Sequence, residues 1–264
     1  MMRSTARVLQ AATLAMLLAA DPLGAQATGA PSRDERLVRV PVVGAVVDVH
    51  LARGDVHISR GRAGVVRIVL ETLPGRGGVR PAPGSLAVVE RTAQGVRIGA
   101  TDAGRGTHGV RLALEVPESV AVRVRLERGD VSVAGTAGAL ELSTARGDVR
   151  LDGISGSALV DVTNGNVRAT FRELDPTRAN IFATLNGNVD LVLPRDAALE
   201  LDVRCRGCTL AEALPGRSLR RTRLAGPVSD PVVALHGSVG GGGPRLQVFT
   251  WNGEVSIATG PGGT

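Results

Sequence analysis

From residue 37 onward apolar and polar residues alternate in short runs, and the runs break at a glycine followed by a small acid or amide. With that glycine as position zero, apolar residues fall at −7, −5, −3, +2 and +4. The pattern occurs six times, at Gly54, Gly129, Gly147, Gly165, Gly187 and Gly253, with Asp55, Asp130, Asp148, Asn166, Asn188 and Glu254 at +1. Of thirty apolar slots twenty-six are filled; Thr144, Asn180, Thr184 and Thr250 hold the other four. Period-two alternation puts one set of side chains on one strand face, so each copy predicts strand, turn, strand. Glycine supplies a positive φ at the turn, and the Asp or Asn beside it can bond its own backbone.

One such unit cannot bury its apolar face alone, so copies must share a core. Those at Gly129, Gly147, Gly165 and Gly187 follow at intervals of 18, 18 and 22 residues. A meander of antiparallel hairpins would satisfy the same pattern, because −3 opposite +2 is hairpin register. The constant advance with unchanged turn residues favours stacked layers instead. The expected fold is therefore all-β, a single-stranded parallel β-helix (β-solenoid) over 118–258 with an insertion at 212–244. Residues 37–117 hold one copy and irregularly spaced strands, and are expected to form an N-terminal β cap.

Residues 1–27 read as an export signal: Arg3 and Arg7, an apolar run from Val8 to Ala20, then Ala25-Gln26-Ala27. That run is too short to cross a bilayer core of about 30 Å. No later stretch is longer and as apolar. The mature chain is expected without a transmembrane segment, in the periplasm, on the cell surface or outside the cell.

Composition narrows the chemistry. There is no tyrosine, and Trp251, Phe171, Phe182 and Phe249 are the only aromatic residues. Sugar and single-strand nucleic-acid sites lean on stacked rings, so no nucleic-acid partner is expected. All 31 basic residues are arginine, yet the net charge is only +6. A high isoelectric point here reflects arginine use more than a large charge excess. Without lysine there is no phosphate loop, Schiff base or Ser-Lys nucleophile.

The stretch Val116 to Val131, its Asn-Gly-Asn-Val restatements and the closing Thr250 to Val255 resemble bacterial adhesin-like domains of unknown function. These are similar in pattern to the head domains of auto-transporter adhesins. The likeness covers residues 37 to 258. It implies an exported β-solenoid and carries over no catalytic residue.

Candidate chemistry is sparse. Three Arg-Gly-Asp tripeptides, at Arg53–Asp55, Arg128–Asp130 and Arg146–Asp148, fall on the turn and are explained by it. The +1 acids offer calcium only Asp130 and Asp148 as neighbours. His50 and His57 flank Gly54 and would face one another on a hairpin, with His108 and His236 in loops, too few for a zinc site. No catalytic set, cofactor site or metal site is expected. A carbohydrate-active enzyme on this fold would need Asp161, Asp190 or Asp202 to converge in a cleft. Arg217, Arg220, Arg221 and Arg223 in the insertion make a candidate patch for an anionic polymer. Cys205 and Cys208, the only cysteines, bracket Arg206-Gly207 at the end of an alternating strand, where an oxidising compartment favours a turn-spanning disulfide. The functional expectation is a non-enzymatic, adhesin-like envelope or surface protein whose partner the sequence does not name.

Overall fold

The structure, a computed structural model, describes residues 33–41, 43–73, 86–101, 109–210, 214, 216–225 and 232–260, with the side chains of 207–210 and 225 excepted. The export signal, His108 and most of the glycine-rich stretches 74–84 and 99–109 lie outside the described residues. In chain order the strands are β1 (Arg33–Arg39), β2 (Val46–Arg60), β3 (Val65–Thr72), β4 (Ala87–Thr92), β5 (Gly95–Ala100) and β6 (Val110–Val116). The regular copies follow as β7 (Ala121–Arg128), β8 (Val131–Ala134), β9 (Leu140–Arg146), β10 (Val149–Ile154), β11 (Ala158–Asn164), β12 (Val167–Phe171), β13 (Asn180–Asn186) and β14 (Val189–Leu193). Then come β15 (Leu199–Cys205), β16 (Gly207–Leu210), β17 (Ser218–Ala225), β18 (Val232–Val239), β19 (Arg245–Asn252) and β20 (Glu254–Thr259).

Within each copy the strand before the glycine lies on a front face and the strand after it on a back face. The two do not pair with each other as a hairpin would. Each pairs in parallel with the same strand of the next copy: on the front Val124↔Leu142, Leu142↔Val160 and Val160↔Phe182, on the back Val131↔Val149, Val149↔Val167 and Val167↔Val189. Strand β2 is long enough to serve both faces, with Val49↔Val124 in front and Val56↔Val131 behind. The molecule is all-β, as expected, but its sheets are mixed. Antiparallel β1–β3, β3–β6 and β4–β5 lie at the N-terminal end, and β15–β18 and β17–β18 at the other.

Chain order and layer order part company at the C-terminal end. The last copy does not add to the outside of the stack. It slots between β13/β14 and β15/β16, pairing Phe182↔Val248 on one side and Val203↔Val248 on the other. The 212–244 stretch is the return path that makes this possible. Two of its segments form β17 and β18, which extend the front face beyond β15. Gly240 and Gly243 then carry the chain back past the start of β15, where an added Cβ would lie 2.3 Å from the Ala197 oxygen or 2.4 Å from the Ala198 oxygen. Only glycine lets the backbones pass that closely.

The corner residues make the stack. A Cβ on Gly129, Gly147, Gly165, Gly187 or Gly253 would meet the carbonyl oxygen of the glycine one layer below at 1.7–2.0 Å. Gly54, Gly129, Gly147, Gly165 and Gly187 also adopt positive φ, between 137° and 155°. Gly253 does not, contrary to the turn expectation, and is glycine for the approach alone. The +1 side chains bond across layers rather than to their own backbone. Asp130 Oδ1 accepts from the Asp148 N–H (2.8 Å), Asp148 Oδ1 from Asn166 N–H (2.7 Å), Asn166 Oδ1 from Asn188 N–H (3.0 Å), and Asn188 Oδ1 from Glu254 N–H (2.9 Å). A short side chain with an acceptor oxygen is what this position requires, which is why both Asp and Asn serve there.

The four polar exceptions in the apolar slots are all buried. Thr144, Thr184 and Thr250 donate their hydroxyls to the carbonyls of Gly129, Gly165 and Gly187, and Asn180 Oδ1 accepts from the Ala158 N–H at 2.8 Å. They are satisfied buried polar groups, each worth about 1 kcal/mol if paired and costly if orphaned. The rest of the buried set is aliphatic apart from Thr72, Thr136, Cys205 and the rings of Phe171 and Phe182, which meet edge to face at 5.9 Å between ring centres.

Candidate docking face

On the outer side of the front face, successive layers change character. The outward residues of β7 are Arg123, Arg125 and Glu127, and those of β9 are Glu141, Ser143 and Ala145. Across these layers Glu141 accepts from Arg123 at 2.7 Å and from Arg125 at 3.1 Å. The Arg123 hydrogen bond, with the charge of both arginines, holds the Glu141 carboxyl below its ordinary value. At β11 the outward set becomes Leu159, Asp161 and Thr163. At β13 it is Ile181, Ala183 and Leu185, and at β19 Gln247, Phe249 and Trp251, the only charge on these two strands' outer side being Arg245 at the start of β19. Charge returns at β15 with Asp202 and Arg204, 3.7 Å apart.

The result is an apolar window two layers deep, fenced by charge on both sides. Leu159, Leu185, Phe249 and Trp251 are 38–47% exposed. Two of the four aromatic rings in the whole chain stand here, on one strand and two residues apart. A shallow depression of ≈ 220 Å³ beside Phe249 is lined by Ile181, Gln247, Asp202 and Arg204. A larger hollow of ≈ 720 Å³ lies at the return turns, between Arg172–Pro176 and Pro194–Ala198.

The sequence-derived candidates fall as follows. The three Arg-Gly-Asp corners occupy consecutive layers although 75 residues separate the first two, since Arg53 pairs with Arg128. Asp55, Asp130 and Asp148 are therefore three stacked acids rather than two, each with one oxygen facing a neighbouring N–H. His50 and His57 do not face one another: β2 passes through the corner without a hairpin, leaving His50 on the front and His57 on the back against Ser132. His236 is an exposed residue of β18, not of a loop. Among the described residues no group of three or more His, Cys, Asp or Glu is placed to hold a metal ion.

Asp161, Asp190 and Asp202 do not converge. Asp190 lies on the back face against Arg168 at 3.2 Å, and Asp161 and Asp202 are three strands apart on the front, about 14 Å at the usual strand spacing. Arg217, Arg220, Arg221 and Arg223 are exposed, the last three on the outermost strand β17. Arg221 and Arg223 lie opposite the inward Leu235 and Val233, while Arg220 lies opposite outward His236, so these do not share one face. Cys205 is buried and disulfide-bonded. Only the backbone of Cys208 is described, and it pairs with Val255.

The window escaped the sequence reading because its members become neighbours only through the layer order. Leu185 and Trp251 belong to copies separated by the whole return path. A signal was present: Phe249 and Trp251 occupy outward positions of a copy whose inward positions are all accounted for.

The chain belongs to the Toastrack DUF4097 family, whose model matches residues 48–206. No curated protein matches the sequence. Among solved structures it is similar to a putative cell adhesion protein from Clostridium sporogenes, with 11% identity and a TM-score of 0.47 over 86% of this chain and 100% of the other. It is also similar to a putative adhesin from Bacteroides fragilis, at 7% identity and a TM-score of 0.29 over 86% and 96% of the two chains. At these scores the likenesses say nothing of function. Among the described residues no helix is long and apolar enough to cross a membrane.

Proposed function

We propose that this chain is a non-enzymatic binding module of the cell envelope or surface, exported by its N-terminal segment, in which a β-solenoid holds a rigid apolar window against a partner protein. The observation that carries the reading is the apolar run on the outer side of β13 and β19, where Leu185, Phe249 and Trp251 stand exposed between charged layers and the one charge, Arg245, lies at the far end of β19. Apolar patches rimmed by polar residues mark interaction surfaces. Aromatic residues are enriched where such surfaces carry binding energy. An enzyme reading finds no support in Asp161, Asp190 and Asp202, which lie on different faces or far apart.

The test is capture of envelope proteins by the purified mature chain, repeated with Leu185→Arg/Trp251→Arg and with Arg220→Glu/Arg221→Glu. The reading expects the first pair to abolish capture of a specific partner, the second to leave it intact, and added salt to weaken it little. Capture lost with the arginine pair and with moderate salt would instead support binding of an anionic polymer by β17. Detection of the chain in the cytoplasm with residues 1–27 still attached would contradict the export part of the reading.

A further inference from the structure

The chain contains three Asn-Gly dipeptides in stacked corners, at Asn164-Gly165, Asn186-Gly187 and Asn252-Gly253. Their asparagines form a ladder. Asn186 Nδ2 donates to Asn164 Oδ1 at 2.8 Å, and Asn252 Nδ2 donates to Asn186 Oδ1 at 2.7 Å. The glycine nitrogens are tied as well: Gly165 N–H donates to the Asn186 carbonyl at 3.0 Å, and Gly187 N–H to the Asn252 carbonyl at 2.9 Å. Each tie uses the carbonyl at −1 of the layer above.

The layer above Gly253 has no such carbonyl. In β19 and β20, Phe249 and Glu254 are five residues apart. Their partners in β15 and β16, Arg204 and Gly207, are three apart. The corner of that layer is two residues shorter, with Cys205 in the inward −3 place, Cys208 at the +2 place, and Arg206 alone spanning what the layer below builds from Trp251-Asn252-Gly253. Among the described residues the Gly253 N–H therefore has no acceptor, and Asn252 Oδ1 has no donor from the layer above. Gly253 also lacks the positive φ that fixes the other corners.

From this geometry we infer that Asn252 is a site of spontaneous deamidation from which Asn164 and Asn186 are protected. The Gly253 nitrogen gives its proton to hydroxide and bonds to Cγ of Asn252. The Cγ–Nδ2 bond breaks and ammonia leaves, and water then opens the resulting succinimide at either carbonyl. Asparagine and water thus become aspartate or isoaspartate and ammonia, with no other reactant. In the lower corners the same ring closure would first have to break the glycine N–H tie and hydrogen bonds at both ends of the side-chain amide: Asn186 lies between Asn164 and Asn252 in the ladder, and Asn164 accepts from Asn186 while donating to the Ala145 carbonyl at 3.3 Å. The product places a carboxylate beside Trp251, on the rim of the apolar window. This inference rests on the corner geometry alone and stands whether or not the window binds a partner.

The experiment is peptide mapping by mass spectrometry of the folded mature protein, aged in mildly alkaline buffer, beside a sample aged in urea. The folded protein should gain one dalton at Asn252 several-fold faster than at Asn164 or Asn186, and the three rates should converge in urea. Equal rates at the three sites in the folded protein would overturn it, as would an Asn252 rate no higher than the others. A preference for Asn252 that persists unchanged in urea would also overturn it, since sequence rather than the missing corner would then be the cause.

Discussion

Gly253 sits on the carbonyl oxygen of Gly187, so close that a Cβ on Gly253 would lie 2.0 Å from it, although 66 residues separate the two. The contact fixes the place of the last copy in the stack, and it recurs down the corner at Gly187, Gly165, Gly147 and Gly129. Stability should depend on these glycines through backbone spacing more than through φ. Gly165→Ala should lower the thermal midpoint well beyond Gly153→Ala. Gly153 has a φ of 60° but nothing within 4 Å of an added Cβ, so it should show only the conformational cost, about 1–2 kcal/mol. Equal midpoints for the two variants would mean that the corner is not a close-packed ladder.

The buried hydroxyls make a second prediction. Thr184→Val keeps the shape of the side chain but removes the donor to the Gly165 carbonyl, so it should cost about 1–3 kcal/mol in denaturant unfolding. Asn180→Leu should cost a similar amount by orphaning the Ala158 N–H. A gain in stability from either change would show that these positions behave as ordinary apolar slots.

The cross-layer ion pairs set an acid-side dependence. The Glu141 carboxyl is held below 4.5, first by the hydrogen bond from Arg123. A depressed folded pKa gives stability that is present above the unfolded value and is lost as pH falls through the folded one. The stability difference between the wild type and Glu141→Gln should therefore be present at neutral pH and vanish below pH 4.5. It should be small, because the pair is largely solvated. A difference that grows on acidification would contradict the pairing.

The short corner between β15 and β16 predicts a bridge between Cys205 and Cys208. Titration of the unfolded, unreduced mature protein should find no free thiol. Reduction should lower the midpoint only modestly, because so short a loop removes little entropy from the unfolded chain. Two free thiols per chain would exclude the bridge.

The alternation around each glycine was enough to give the strands, their inward residues and the stacking of copies at short intervals, because period two and a glycine corner are local signals. Four features were not legible. Thr144, Thr184, Thr250 and Asn180 looked like failures of the pattern because their partners lie one layer away. Asp and Asn at +1 looked like turn formers, while their acceptor role depends on the layer above. The mixed ends and the insertion of β19 and β20 ahead of β15 and β16 depend on contacts across the return path, which no periodicity reports. The candidate docking face inherits that last difficulty, since it exists only where β13 and β19 become neighbours.

That adjacency is tested most directly with the only tryptophan in the chain. Trp251 is 47% exposed and lies one layer from Leu185. Glu127 is in the same outward row four layers away, about 19 Å at the usual strand spacing. A nitroxide attached at Leu185→Cys should strongly quench Trp251 fluorescence, whereas one at Glu127→Cys should leave it nearly unchanged. Quenching from position 127, or none from position 185, would contradict the layer order and with it the docking face.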